Sequence, residues 1–238
     1  MQLAADACVD VTTSFGVVRC AVAAPATGTH PLLLCFPDIF GNSPAHWRVM
    51  RRLAGHGFVV VSPEPWAHAI PTGTVFDFDA DRDRALAAQD LADATAADAA
   101  RRAVVDHFTP TTRGAHAIGF CYGGHLALRA ALDERVTATV CCYATGLHKG
   151  LLGNVGCDTL ADAASIKGEV LLVWGRNDPH IPKEGRDVIH RRLDDANVRY
   201  EARFFNAAHA FMRDVGERYD PAATDEALGA ALALFRRA

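Results

Sequence analysis

Short apolar runs alternate with longer amphipathic stretches along most of the chain. Each run is rich in aliphatic and β-branched residues and is bounded by turn-forming residues. Runs of this length and composition predict strands that are buried on both faces. The six runs are Leu32–Phe36, Phe58–Val61, Ala115–Ile118, Val136–Cys142, Val170–Trp174 and Tyr200–Phe205.

Helical patterns occupy the stretches between these runs, and the last of them opens with a proline in its first turn. The predicted helices are Ala45–His56, Arg82–His107, Gly124–Leu132, Lys183–Asn197 and Pro221–Arg236. Strict alternation of strand and helix predicts an α/β fold with a mostly parallel, doubly wound sheet and right-handed crossovers. Near the N-terminus, Val9–Val22 predicts an antiparallel hairpin that turns around Ser14–Gly16.

The chain length of 238 residues, half of them hydrophobic, is that of one large α/β domain, so we expect a single domain over residues 1–238. Pro63–Asp81 is a long surface excursion that follows a predicted strand. Loops at the carboxyl end of a parallel sheet commonly line the ligand crevice, so this excursion is a candidate lid.

The formal net charge of -4 gives no general attraction to nucleic acid or to an anionic membrane surface. No apolar run approaches the roughly 18 residues that a membrane-spanning helix needs, and the first residues lack a signal-peptide pattern. We therefore expect a cytoplasmic protein that acts on a small molecule, as a monomer or a weak homo-oligomer.

Seven scattered cysteines, an odd number, do not resemble the disulfide framework of a small secreted domain, so most are expected to be reduced and buried. The chain has no H-E-x-x-H and no paired C-x-x-C, which argues against a metal. It also has no P-loop and no G-x-G-x-x-G after a strand, so no nucleotide cofactor is expected. His107 and His116 are interpreted as packing or surface residues.

The segment Ala115–Gly124 contains a predicted strand, then G-x-C-x-G centred on Cys121, then a helix. This order is typical of a nucleophile elbow, in which a sharp turn requires small residues two positions before and after the nucleophile. The helix N-terminus that follows favours a thiolate. The pentapeptide alone would equally fit a buried structural cysteine beside packing glycines, so the context decides.

Candidate partners for this cysteine follow the next two predicted strands in the order nucleophile, acid, base. Asp178 lies in the turn after Val170–Trp174, and His209 lies in the loop after Tyr200–Phe205. A base within reach of the thiol, oriented by a carboxylate, is what nucleophilic catalysis needs. Separately, Asp178 would fit an Asx turn before proline and His209 a surface histidine.

With these residues identified, the sequence resembles the dienelactone hydrolase family (carboxymethylenebutenolidases) over nearly its whole length. Phe36–Gly41 resembles the family's signature loop, Gly119–Gly124 its cysteine elbow, and Asp178 and His209 its acid and base. The histidine loop also matches in having Arg213 four residues after the histidine. The resemblance implies an α/β-hydrolase fold and hydrolysis of an ester or lactone bond.

The resemblance further implies an oxyanion hole built from the backbone N–H groups of Ile39 and Tyr122. One departure concerns the signature loop, where Asp38 stands in place of the family's glutamate, which is proposed to hold the resting thiol and help to deprotonate it. The carboxylate is kept, but its reach is one methylene shorter. Either the backbone compensates or His209 alone activates the thiol.

The family binds its substrate's carboxylate with arginines, whose planar fork suits bidentate contacts. Arg213 matches one of these positions, and Arg82 and Arg84 both stand near the other. A solvated surface arginine is the alternative for each of the three.

The mechanism implied is attack by Cys121 on a lactone carbonyl, a thioester intermediate, and hydrolysis to a product of the maleylacetate type. A broad-range carboxylesterase or thioesterase is the alternative within the enzyme class, because fold and triad do not specify the acyl group. A non-catalytic thiol-sensing protein that kept the elbow is a further alternative.

Overall fold

Eight strands form one twisted sheet in the computed structural model, which describes all 238 residues. The strands are β1 (Ala7–Thr13), β2 (Gly16–Ala23), β3 (Leu32–Phe36), β4 (Val59–Pro63), β5 (Ala115–Phe120), β6 (Val136–Cys142), β9 (Glu169–Gly175) and β10 (Tyr200–Phe205), with β7 (Leu151–Leu152) and β8 (Val155–Gly156) outside the sheet. Their spatial order is β1-β2-β4-β3-β5-β6-β9-β10.

The pairing directions divide the sheet into two parts. From β4 through β3, β5, β6 and β9 to β10, every neighbouring pair is parallel. At the other edge β1 and β2 form an antiparallel hairpin, and β2 pairs antiparallel with β4. The hairpin turns at Gly16, whose φ of 111° suits a glycine. The predicted mostly parallel α/β fold with an N-terminal antiparallel hairpin is confirmed.

Six α-helices flank the sheet. They are α1 (Pro44–Gly55), α2 (Arg82–Ala87), α3 (Ala94–Phe108), α4 (Tyr122–Ala130), α5 (Lys183–Asp195) and α6 (Pro221–Arg237). None of these helices is long and apolar enough to cross a membrane.

The prediction of one helix over Arg82–His107 was wrong. Helix α2 is followed by a 3-10 turn at Ala88–Leu91, and α3 begins afresh after Asp93. The Asp93 carboxylate accepts hydrogen bonds from the N–H groups of Thr95 and Ala96 at 2.8 and 3.0 Å. This cap satisfies free N–H donors at the start of a new helix. The prediction missed this boundary because it depends on one aspartate within an alanine-rich segment.

The strict alternation of strand and helix is also wrong at one point, between β6 and β9. That segment contains 3-10 turns at Leu147–Lys149 and Thr159–Ser165 and the small β7–β8 hairpin. The hairpin is fixed to the segment after α2, since Asn154 N donates to Gln89 O at 3.1 Å. These two irregular segments meet above the carboxyl end of the sheet.

The core is one cluster of 69 buried residues. Every residue of β3 and β5 is buried, as expected for central parallel strands covered on both faces. Four of the seven cysteines, Cys20, Cys35, Cys141 and Cys142, are buried in this core as free thiols. The carboxyl ends of β3, β5, β9 and β10 meet at one edge, which is where the candidate site lies.

Candidate active site

The backbone turns sharply at Cys121, directly after β5. Its φ of 57° and ψ of -116° lie outside the usual regions for a residue with a side chain. Two hydrogen bonds hold the turn: Cys121 N donates to Cys142 O on β6, and Gly124 N donates to Cys121 O, both at 3.0 Å. Helix α4 begins at the next residue, so the sulfur lies at a helix N-terminus.

The glycines around this turn are required by close backbone approach. A Cβ on Gly119 would collide with the carbonyl of Gly123, and a Cβ on Gly123 would collide with the carbonyls of Phe36 and Pro37. A Cβ on Gly124 would lie 2.9 Å from Ala144 Cα. The glycine pattern in the sequence therefore reflects packing of the elbow against the ends of β3 and β6.

The structure brings Cys121, His209 and Asp178 into a hydrogen-bonded series. His209 Nε2 lies 3.1 Å from Cys121 Sγ, and His209 Nδ1 lies 2.7 Å from Asp178 Oδ2. The other oxygen of Asp178 accepts hydrogen bonds from the N–H groups of His180 and Ile181. Only 1% of the Asp178 side chain is exposed, so the carboxylate is fixed on both oxygens.

Electrostatics favour the protonated form of His209. Burial lowers the pKa of this imidazole, but the Cys121 thiolate and the hydrogen bond to Asp178 raise it more, to about 10. The sulfur of Cys121 therefore lies against an imidazole that favours its protonated form. Such a pair could supply a nucleophile on the cysteine and a proton for a leaving group on the histidine.

Two backbone N–H groups at the candidate site donate no hydrogen bond within the protein. They belong to Ile39, in the loop after β3, and to Tyr122, the first residue of α4. Ile39 also lines the cavity above Cys121. Unpaired donors at these positions would suit a developing oxyanion, the role that the family resemblance implies for both residues.

Asp38 makes its contacts away from the thiol. Its Oδ2 accepts from Arg213 Nη1 at 2.9 Å and its Oδ1 accepts from Phe40 N at 3.0 Å. The hydrogen-bond partner of Cys121 Sγ is His209. The structure thus has no hydrogen bond between the Asp38 carboxylate and the thiol, and how the thiol is activated stays a prediction.

A cavity of about 290 Å³ opens above Cys121 and His209. Four of its lining side chains carry a positive charge and one carries a carboxylate: Arg82, Lys149, Arg213, Arg218 and Asp38. Of the two arginines that the sequence could not separate, Arg82 lines this cavity. Arg84 instead pairs with Asp81 at 2.6 Å and lies over the ring of Phe76.

The comparisons with known proteins agree with this geometry. The sequence model of the dienelactone hydrolase family matches residues 18–238. The chain belongs to the dienelactone hydrolase family. It is 30% identical to a putative carboxymethylenebutenolidase of Saccharomyces cerevisiae, over 96% of this chain and 90% of that protein. It is 33% identical to a carboxymethylenebutenolidase of Rhodococcus opacus, over 82% and 75% of the two chains.

Solved structures show the same fold. A putative dienelactone hydrolase from Klebsiella pneumoniae aligns over the full length of both chains with a TM-score of 0.78 and 20% identity. A dienelactone hydrolase-like promiscuous phosphotriesterase from metagenomic libraries aligns with a TM-score of 0.81 and 23% identity, over 100% of this chain and 99% of that one. The predicted α/β-hydrolase fold and family are confirmed, and the protein is a hydrolase that acts on ester or lactone bonds.

Several residues at the site of this dienelactone hydrolase family member were not singled out from the sequence. His180 packs edge-to-face on His209 with 4.6 Å between ring centroids, and Phe78 lies 4.3 Å from the Arg213 guanidinium. Lys149 and Arg218 line the cavity. His180 could have been noticed because it lies two residues after the predicted acid, whereas isolated cations in irregular loops leave no pattern to find.

Proposed function

We propose that this dienelactone hydrolase family member cleaves the ester or lactone bond of a small carboxylate-bearing substrate, of the dienelactone-to-maleylacetate type, with Cys121 as nucleophile. One observation carries the proposal: the contacts of 3.1 and 2.7 Å that link Cys121 to His209 and His209 to Asp178 at the floor of a cationic cavity. The names of the curated relatives, several of them carboxymethylenebutenolidases, support the substrate class.

The first half of the reaction forms a thioester. The Cys121 thiolate attacks the carbonyl carbon, and the N–H groups of Ile39 and Tyr122 donate to the oxygen as it becomes negative. The carbon–oxygen bond then breaks. The leaving oxygen takes the proton from His209 Nε2, which the contact with the sulfur places beside the reacting atoms.

The second half releases the acid and restores the site. Neutral His209 accepts a proton from water, the hydroxyl attacks the thioester carbonyl, and the carbon–sulfur bond breaks to return the thiolate. Asp178 keeps Nδ1 protonated throughout and stabilises the imidazolium each time it forms. All protons and bonds balance with one water consumed.

The substrate carboxylate is assigned to Arg213 and Arg82. Asp38 and the rings of Phe40 and Phe78 hold the Arg213 guanidinium, whose Nε is buried without a hydrogen-bond partner. Arg82 lines the same cavity and makes no ion pair. A guanidinium that is already oriented and still has free donors suits bidentate contact with a carboxylate.

A broad-range carboxylesterase or thioesterase is the second candidate. Asp38 offsets part of the charge of Arg213, and the cavity also presents the apolar side chains of Ile39, Phe40, Leu86 and Leu151. These surfaces would accept a neutral acyl group. The substrate range is therefore what separates the two candidates.

The test measures kcat/KM on cis- and trans-dienelactone and on neutral p-nitrophenyl esters of similar size. Cys121→Ala should abolish hydrolysis of all of them, while Cys8→Ala, at an exposed cysteine of β1, should keep the wild-type rates. Arg213→Gln should slow the lactones by about tenfold or more and the neutral esters far less. Equal losses on both substrate types would favour the broad esterase, and wild-type activity of Cys121→Ala would reject the site.

A further inference from the structure

The N–H group of Ile39 lies in a short loop, residues 37–43, that connects β3 to α1. Within this loop Gly41 N donates to Asp38 O at 3.1 Å, so Ile39 and Phe40 are the two central residues of a tight turn. The direction of the Ile39 N–H therefore depends on how the two ends of the turn are held.

The two ends of this turn are held by different parts of the protein. At the first end, Asp38 Oδ2 accepts from Arg213 Nη1, and both side chains line the cavity. At the second end, Asn42 makes two hydrogen bonds with Ser62 of β4. Asn42 Nδ2 donates to Ser62 O at 3.1 Å, and Asn42 Oδ1 accepts from Ser62 Oγ at 2.6 Å. Ser62 is fully buried, and β4 pairs with both β2 and β3, so this second end is fixed to the interior of the sheet.

His46 of α1 determines the direction of the Ser62 hydroxyl. His46 Nε2 lies 3.0 Å from Ser62 Oγ and 3.3 Å from Cys35 O, a carbonyl oxygen that can only accept. Nε2 therefore carries the proton, and Ser62 Oγ accepts it, which leaves the hydroxyl hydrogen for Asn42. Burial lowers the pKa of His46 to about 4, so the ring stays neutral near pH 7. The donors thus point in one direction, from His46 through Ser62 to Asn42.

This network does not reach the reacting atoms. Neither Asn42, Ser62 nor His46 lines the cavity above Cys121. Buried polar groups cost stability unless they are paired, and these three side chains are paired chiefly with one another and with the backbone. Their common effect is to attach the loop of Ile39 to β4. A displacement of about 1 Å in a group that acts on the reacting atoms can cost roughly 100-fold in rate.

We propose that Asn42 and Ser62 are positioning residues, which hold the Ile39 N–H toward the oxygen that becomes negative when Cys121 attacks. This inference rests on the proposed function and extends it to residues outside the cavity. The anchor acts on a group that is needed when charge develops on the oxygen. Its loss should therefore slow the chemical steps and leave substrate binding and the thiol itself largely unchanged.

The first measurement is hydrolysis of p-nitrophenyl acetate by Asn42→Ala and Ser62→Ala. Both variants should lower kcat about 10- to 100-fold and change KM less than about threefold. Thr139→Val is the control, because Thr139 is a buried residue of β6 whose hydroxyl has no hydrogen-bond partner. This variant also removes a buried hydroxyl and should keep the wild-type kcat. Thermal melting shows that each variant is folded at the assay temperature.

Two further measurements need no turnover. Iodoacetamide alkylates Cys121 without placing charge on a carbonyl oxygen, so its rate in both anchor variants should stay within about twofold of the wild type. A trifluoromethyl ketone forms a carbon–sulfur bond with Cys121, and its oxygen takes over the negative charge of the thiolate. Its inhibition constant should rise about tenfold or more. An equal loss of alkylation would mean that the whole site is distorted, and an unchanged inhibition constant would mean that the loop needs no anchor; either result overturns the inference.

Failure of this inference is distinguishable from failure of the proposed function. If the wild type hydrolyses the ester and both anchor variants match it, the proposed function stands and the positioning role is rejected. If the wild type hydrolyses neither esters nor lactones, the proposed function fails, and the affinities of the variants for the trifluoromethyl ketone decide the inference. A wild-type protein that does not bind the ketone would reject the Ile39 donor and its anchor together.

Discussion

Two cysteines lie side by side at the carboxyl ends of neighbouring strands and have opposite surroundings. Cys121 follows β5 and Cys142 ends β6, and a backbone hydrogen bond of 3.0 Å joins them. The Cys142 thiol is fully buried, and burial raises its pKa well above the ordinary value. The Cys121 thiol is partly exposed to the cavity and contacts His209.

The difference arises from backbone geometry. Cys142 keeps strand geometry, so its side chain lies in the core, while the turn at Cys121 directs the sulfur out of the sheet. The sharp turn of β6 comes one residue later, at Tyr143, whose φ is 39°. Its buried ring packs against His209 with 5.3 Å between ring centroids. The turn at Cys121 thus exposes its thiol to the cavity. The turn at Tyr143 places an aromatic ring against His209, the imidazole that contacts this thiol.

The sharpest test of this comparison is the rate of alkylation of the two thiols. Because a buried thiol reacts only after local opening, iodoacetamide should modify Cys121 at least about 10³ times faster than Cys142 in the native protein. Mass spectrometry of peptides from a time course gives both rates. In guanidinium all seven cysteines should react alike, and similar native rates for Cys121 and Cys142 would contradict the structural difference.

The pKa of His209 should depend on one of these sulfurs and not on the other. Its value of about 10, against the ordinary 6.5, is raised chiefly by Cys121 and Asp178. Cys121→Ala should therefore lower it well below 10, since burial, which opposes protonation, remains. NMR titration of the imidazole measures the value, and Cys142→Ala is the matched control. An unchanged pKa in Cys121→Ala would show that the thiolate is not its cause.

The same pKa contributes to the dependence of the free energy of unfolding on pH. The folded-state pKa of His209 lies above the unfolded value, so its contribution to stability is complete below pH 6.5 and is lost as pH rises toward about 10. Urea unfolding between these values should show a weaker loss for Cys121→Ala than for Cys142→Ala.

Much of the fold could be predicted from the sequence because the six apolar runs had only one way to be buried. Three of them, Leu32–Phe36, Val136–Cys142 and Tyr200–Phe205, matched strands of the observed sheet completely, and the other three matched within about two residues at either end. The elbow could be located because Gly119 and Gly123 are required by steric contact, which leaves a visible pattern. The positions of Asp178 and His209 followed from strand order, while their catalytic roles stay predictions.

The remainder depended on contacts that a linear pattern does not contain. The break before α3 depends on one Asp93 side chain inside an alanine-rich segment. The strands of the β7–β8 hairpin are too short to show an alternating hydrophobic pattern in the sequence. The position of the hairpin depends on a backbone hydrogen bond from Asn154 to Gln89. Arg82 could not be distinguished from Arg84 in the sequence, because the difference lies in what each side chain contacts in the folded protein.

The elbow's glycines offer a further way to sharpen the comparison, because the turn at Cys121 forms only if the backbone can approach β3. Gly123→Ala should reduce the free energy of unfolding by about 3 kcal/mol or more, since its Cβ would collide with the carbonyls of Phe36 and Pro37. Gly229→Ala, in open space on α6, should increase it by about 0.5 to 1 kcal/mol. Urea unfolding measures both, and a Gly123→Ala variant as stable as the wild type would show that the elbow tolerates a Cβ.

The last prediction compares Arg82 and Arg84, two arginines of one helix whose surroundings differ, as those of Cys121 and Cys142 do. Arg82 lines the cavity without an ion pair, whereas Arg84 is engaged by Asp81 and the Phe76 ring. Arg82→Gln should reduce kcat/KM for a carboxylate-bearing ester about fivefold, in line with one charged contact at a partly solvated site, and Arg84→Gln should change it less than twofold. Both side chains are exposed on α2, so a loss of fold would affect them alike and thermal melting would detect it. Equal losses in the two variants would mean that the charge of α2 as a whole, and not contact by one guanidinium, attracts the substrate.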